Sequence, residues 1–182
     1  MKKLAFLALV AFLATPFVSK AQEYKKFKVG LGFGYAMPGG AGAKGGVLVY
    51  TEPAYRINDK LQAGLRLEAA VIVSGGAGGG SASALGSYTL NGQYYFSNNN
   101  FRPFAGLGLG LFDVASGSTK DTKTGKDLVL AGGTVFGFYP RVGFDLGHFT
   151  MTLDYNIVTA KSPIKANYLG VRMGFNIGGG KN

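Results

Sequence analysis

The chain has 182 residues, 47% of them hydrophobic, with 31 glycines, one histidine and no cysteine. That length suits one domain, and the absence of thiols excludes disulfide scaffolds, thiolate metal centres and thiol redox chemistry. A net charge of +10 raises nucleic acid as a partner, yet the basic residues are scattered singly and form neither a run nor an amphipathic helix, which argues against it.

The first residues have the composition of an export signal. Lys2 and Lys3 precede an apolar run from Leu4 to Val18, broken at Thr15 and Pro16, and Ser19-Lys20-Ala21 forms a small-residue cleavage site. We expect a cleavable signal peptide over residues 1–21, cut after Ala21, and one domain over residues 22–182. The run is shorter than the roughly 20 residues a spanning helix needs. No cysteine follows the cut to carry a lipid anchor. The remainder has sixteen basic and nine acidic residues, a charge of +7. It contains no apolar run long enough for a transmembrane helix, so only a closed sheet could take it across a bilayer.

From Phe27 onward the side chains alternate with period two. The first strand sets Phe27, Val29, Leu31, Phe33 and Tyr35 against Lys28, Gly30, Gly32, Gly34 and Ala36. The second, Val47 to Ile57, turns Tyr50, Glu52, Ala54 and Arg56 to the polar face, and the third, Leu61 to Val73, does so with Gln62, Gly64, Arg66 and Glu68. Strand four runs from Ala84 to Phe96 with Ser87, Thr89, Asn91, Gln93 and Tyr95 on that face; strand five, Phe101 to Phe112, contributes Arg102, Phe104 and three glycines. Strand six, Thr134 to Leu146, adds Tyr139, Arg141 and Asp145, strand seven Thr150, Thr152, Asp154 and Asn156, and strand eight Arg172 and Asn176. In every strand the other face is apolar. A water-soluble barrel would bury that apolar face, whereas a lipid-facing one turns it outward, so the pattern predicts an all-β, eight-stranded antiparallel up-and-down transmembrane barrel.

The connections support this reading. Turns near Asn58, Asn98 and Gly147 are short, whereas Met37 to Gly46, Ser74 to Ser83, Asp113 to Asp127 and Thr159 to Lys165 read as long loops. Short turns at one end and long loops at the other is the outer-membrane arrangement, with the long loops outside the cell. Aromatics near the short-turn ends, among them Phe27, Tyr55, Phe96, Phe101, Phe144, Phe149 and Phe175, fit an interfacial girdle. Pro53, Pro103 and Pro140 fall within strands, where bulges or strand ends are expected.

Eight strands enclose a lumen just wide enough for its own side chains. Glu52, Arg56, Arg66, Glu68, Arg141, Asp145, Asp154 and Arg172 should therefore form a polar network that plugs it. Counting back from the turns places Glu52 opposite Arg66 and Arg141 opposite Asp154, so that each pair would meet inside. The period-two glycines of strands one and five lack a following helix and so do not form a phosphate-binding loop.

With these features the chain resembles the small eight-stranded outer-membrane barrels of the OmpX and OmpA-transmembrane type. Tyr168-Leu169-Gly170-Val171-Arg172-Met173-Gly174-Phe175 is similar to the family's assembly signal, although the chain continues through Asn176, Ile177, three glycines, Lys181 and Asn182. The resemblance implies residence in the outer membrane of a Gram-negative-type bacterium, contact with its lipid, delivery by the outer-membrane insertion machinery and a monomeric state.

Function is then expected in the loops. Lys44, Lys120, Lys123, Lys126, Lys161 and Lys165 outnumber Asp113, Asp121 and Asp127 there by three, at the level of lipopolysaccharide phosphates. No catalytic, metal or cofactor site is expected, because His148 stands alone in a short turn away from the long loops. The alternative is a barrel similar to the OmpW type that passes a small hydrophobic molecule, with Phe104, Phe112 and Tyr139 lining a pocket.

Overall fold

A computed structural model describes residues 24–39, 43–76, 79–119, 128–159 and 167–181. The expected signal peptide lies outside them. Eight antiparallel strands follow one another around the sheet: β1 (Phe27–Pro38), β2 (Ala43–Arg56), β3 (Leu61–Gly76), β4 (Gly79–Tyr95), β5 (Phe101–Thr119), β6 (Leu128–Leu146), β7 (Phe149–Val158) and β8 (Tyr168–Gly178). Each pairs with the next, and β1 closes the barrel against β8, from Lys28↔Gly178 to Pro38↔Tyr168. Closure leaves no edge strand, the condition a sheet must meet in lipid.

The alternation becomes an inside and an outside. Leu31, Phe33, Val47, Val49, Leu90, Leu107, Leu109, Phe136, Val142 and Leu153 are exposed on the outer surface, while Arg66, Thr89, Tyr139, Asn156 and Arg172 are buried within. At the short-turn rim Phe101, Phe144 and Phe149 form an outward aromatic row, with successive ring centroids 5.2 and 6.3 Å apart. No helix among the described residues is long and apolar enough to cross a membrane; the strands carry the apolar surface.

Four expectations need correction. Met37 to Gly46 is not a long loop, because β1 runs to Pro38 and β2 begins at Ala43. Ser74 to Ser83 is not a long loop, because β3 and β4 stay paired out to Gly76↔Gly79. Likewise β5 continues to Thr119 and β6 begins at Leu128, well into the stretch read as Asp113 to Asp127. These extensions consist largely of Gly, Ala and Ser, which have no large apolar side chains to reveal a period but whose backbone groups pair as well as any. Finally, the strand prolines cause no bulge. Pairing keeps one register on both sides of Pro53 (Thr51↔Leu67 and Ala54↔Gly64) and of Pro140 (Phe138↔Ile157 and Arg141↔Asp154). Each proline lacks a donor toward one neighbour only, and its other ladder is intact at Val29↔Pro53 and Leu107↔Pro140. Pro103, third in β5, still accepts from the Phe96 amide at 2.9 Å.

Candidate functional site

The lumen is layered along its axis. At the long-loop end it is apolar: Leu48, Ile72, Leu85, Phe112, Val114 and Val158 pack together with Tyr139 and Tyr168. Below this cap the ionisable side chains begin. Inward glycines provide the space for large rings: a Cβ at Gly32 would come within 2.6 Å of the Tyr50 ring, and one at Gly108 would overlap Tyr139.

In mid-barrel, two arginines and two carboxylates form a neutral quartet. Arg172 contacts Glu68 at 2.7 Å and also binds Asp154, while Arg66 reaches Asp154 at 3.0 Å and approaches Glu68 at 3.6 Å. Tyr168 donates to Glu68 at 2.6 Å and Asn156 accepts from Arg66 at 3.0 Å, while Arg66 Nε and Arg172 Nη2 are buried without a hydrogen-bond acceptor. The Arg66 guanidinium also lies 3.8 Å from the Tyr139 ring centroid, and Tyr139 shares a 3.0 Å hydrogen bond with Thr89. The mutual neutralisation of two cations and two carboxylates offsets part of the cost of desolvating them.

Nearer the short turns, Arg141 donates to both carboxylate oxygens of Glu52 at 3.0 Å. Lys28 pairs with Asp145 at 2.9 Å, and Asp145 also accepts from Tyr95 at 2.7 Å and Thr150 at 2.6 Å. The residues expected in the network are thus all buried inside, but the expected partners are not those that meet. By register Glu52 does stand opposite Arg66, and Arg141 is paired with Asp154 in the ladder. The ion pairs instead join Glu52 to Arg141 and Arg66 to Asp154. An arginine carries its charge at the end of a long side chain, so in a narrow lumen it extends to another wall more readily than it folds back on the adjacent strand.

Sequence reading left Lys28, Arg102 and Tyr95 out of the network. All three occupy inward parity positions close to strand ends, which is the signal that could have included them. Arg56 and Arg102 are both buried, but neither joins an ion pair among the described residues.

The loop lysines fare differently. Lys120, Lys123, Lys126, Lys161 and Lys165 lie outside the described residues, as does the side chain of Lys44. Phe112 and Tyr139 are fully buried in the apolar cap, and Phe104 packs 5.5 Å from Tyr95. His148 stacks on Phe175 and bonds through Nδ1 to the Asn176 carbonyl at 2.7 Å. Among the described residues no cluster of three or more His, Cys, Asp or Glu is arranged to hold a metal.

Comparison with known proteins agrees with this geometry. Residues 4–179 match the family described as outer membrane protein beta-barrel domain. No curated protein matches the sequence. Among solved structures, Neisserial surface protein A is similar at 16% identity and a TM-score of 0.66, over 85% of this chain and 98% of that one. The attachment invasion locus protein Ail of Yersinia pestis, solved with the heparin analogue sucrose octasulfate, is similar at 11% identity and a TM-score of 0.52, over 87% of this chain and 100% of that one.

Proposed function

The chain belongs to the outer membrane protein beta-barrel domain family, and from that premise we propose a non-enzymatic barrel that acts in envelope structure or surface interaction through its long-loop end. It resides in the outer membrane of a Gram-negative bacterium. One observation supports the functional reading: the lumen is filled by an apolar cap above neutral ion-pair clusters, which leaves little room for a solute path or a reacting substrate. The single histidine is engaged at the opposite rim, so an acid-base pair near the loops would have to be built without it.

The partner we propose is lipopolysaccharide, met by Lys44, Lys120, Lys123, Lys126, Lys161 and Lys165 at the level of its phosphates. Export would be directed by the signal peptide and completed by cleavage after Ala21, insertion would use the segment from Tyr168 to Phe175, and the barrel would work as a monomer. The test is association of the purified protein with lipopolysaccharide in low salt, with soluble sucrose octasulfate as a competing polyanion. Replacing Lys120, Lys123 and Lys126 with Gln should weaken association and reduce its salt dependence; unchanged association would overturn the proposal.

A further inference from the structure

The charge count inside the barrel does not close. Lys28, Arg56, Arg66, Arg102, Arg141 and Arg172 are buried cations, whereas the buried carboxylates are Glu52, Glu68, Asp145 and Asp154. The four carboxylates are taken by Lys28, Arg66, Arg141 and Arg172. Arg56 and Arg102 remain, and both stand at the short-turn mouth.

There they line a cavity of about 330 Å³ with Tyr24, Asp145, His148 and Lys181. Tyr24 forms its floor, held by an isolated bridge to Lys181 and by hydrogen bonds from its hydroxyl to the Asn98 and Asn99 carbonyls at 2.9 and 3.1 Å. The Arg102 guanidinium lies 4.0 Å from the ring centroids of both Tyr24 and Tyr95, so the aromatic contacts leave its in-plane N–H groups to find acceptors. Nε donates to the Ser97 carbonyl and Nη2 to the Asp59 carbonyl, while Nη1 is buried without an acceptor. Arg56 repeats the pattern: Nη1 donates to the Gly179 carbonyl at 2.5 Å, and Nε is buried without an acceptor. Asp145 also faces the cavity, but it already serves Lys28, Tyr95 and Thr150.

Arg66, Arg141 and Arg172 each carry one buried donor without an acceptor as well, but each faces a carboxylate; Arg56 and Arg102 have only neutral carbonyl acceptors and are short of negative charge. Their planar forks match an oxyanion. We propose that the short-turn mouth is a binding site for a small oxyanion of the phosphate class, held by Arg56 and Arg102. The strands wall the cavity off from the surrounding lipid, so the anion enters from the aqueous side as a free ion or small solute and does not come from a lipid headgroup.

The experiment uses the mature barrel in nanodiscs of zwitterionic lipid, titrated with inorganic phosphate against chloride at equal ionic strength. Nitrogen-edited spectra should show saturable shifts at the Arg56 and Arg102 Nε–H groups and none at Arg141 or Arg172, and the thermal midpoint should rise along the same curve. Arg102→Gln should weaken the apparent affinity about tenfold or more, whereas Lys60→Gln, at the adjacent turn, should leave it unchanged. If Arg102→Gln does not fold, the wild-type shifts alone decide. Absence of a saturable response, or shifts spread over all lumen arginines, would overturn the site. Shifts seen with anionic lipid and no phosphate, with none from phosphate in zwitterionic lipid, would overturn the free-anion assignment.

Discussion

Glu52 and Arg141 carry the clearest residue-level consequence. Both oxygens of the carboxylate accept from one guanidinium nitrogen, and Arg141 has no second carboxylate among its ion pairs. Glu52→Ala should therefore cost about 3–5 kcal/mol, because it leaves a buried arginine uncompensated. Urea unfolding of the variant in lipid measures this. A double-mutant cycle should give strong coupling between Glu52 and Arg141 and little between Glu52 and Arg66, and the reverse result would refute the cross-lumen pairing. At this scale the sequence revealed which residues face inward, since parity decides that. It did not reveal who pairs with whom, because partner choice depends on side-chain reach across a curved lumen. Lys28 and Arg102 were read as inward-facing strand residues but left out of the network, because parity does not show what a side chain near a strand end reaches across the lumen.

At the scale of the element, the strands were legible wherever an apolar face had to meet lipid, and became invisible where it did not. From Ser74 to Ser83 the chain has almost no hydrophobic contrast, yet the ladder runs through it because pairing requires only backbone groups. The prolines make the same point in reverse. In the β6–β7 register Pro140 stands opposite Tyr155, two residues from the Phe138↔Ile157 pair, and it has no N–H to offer the Tyr155 carbonyl. Pro140→Val should restore the bond and keep the outward apolar contact, raising stability by about 0.5–1.5 kcal/mol. The measurement is the urea midpoint in lipid; a lower midpoint would mean that the proline's rigidity matters more than the missing donor.

At the scale of the whole molecule, eight closed strands were expected and eight are found, with a lumen that is polar through most of its length and capped by apolar side chains. The cap was not anticipated, because Leu48, Ile72 and Leu85 read in sequence as strand ends and not as a shared layer. Planar-bilayer recordings of the intact barrel should show no ohmic steps; a steady conductance would mean that the cap and quartet part to admit water. The closing seam has a separate bearing on how the molecule is made. Lys28 finds Gly178 only after all the intervening chain has been laid down, so the costliest loop closure comes last, although its entropy grows only slowly with length. Until that seam zips, the sheet has two unsatisfied margins at β1 and at whichever strand has arrived most recently, each a template for a stray chain. A nascent chain halted before β8 is therefore an adhesive ribbon more than a partial barrel, and the cell must either supply a chaperone for those margins or degrade the product.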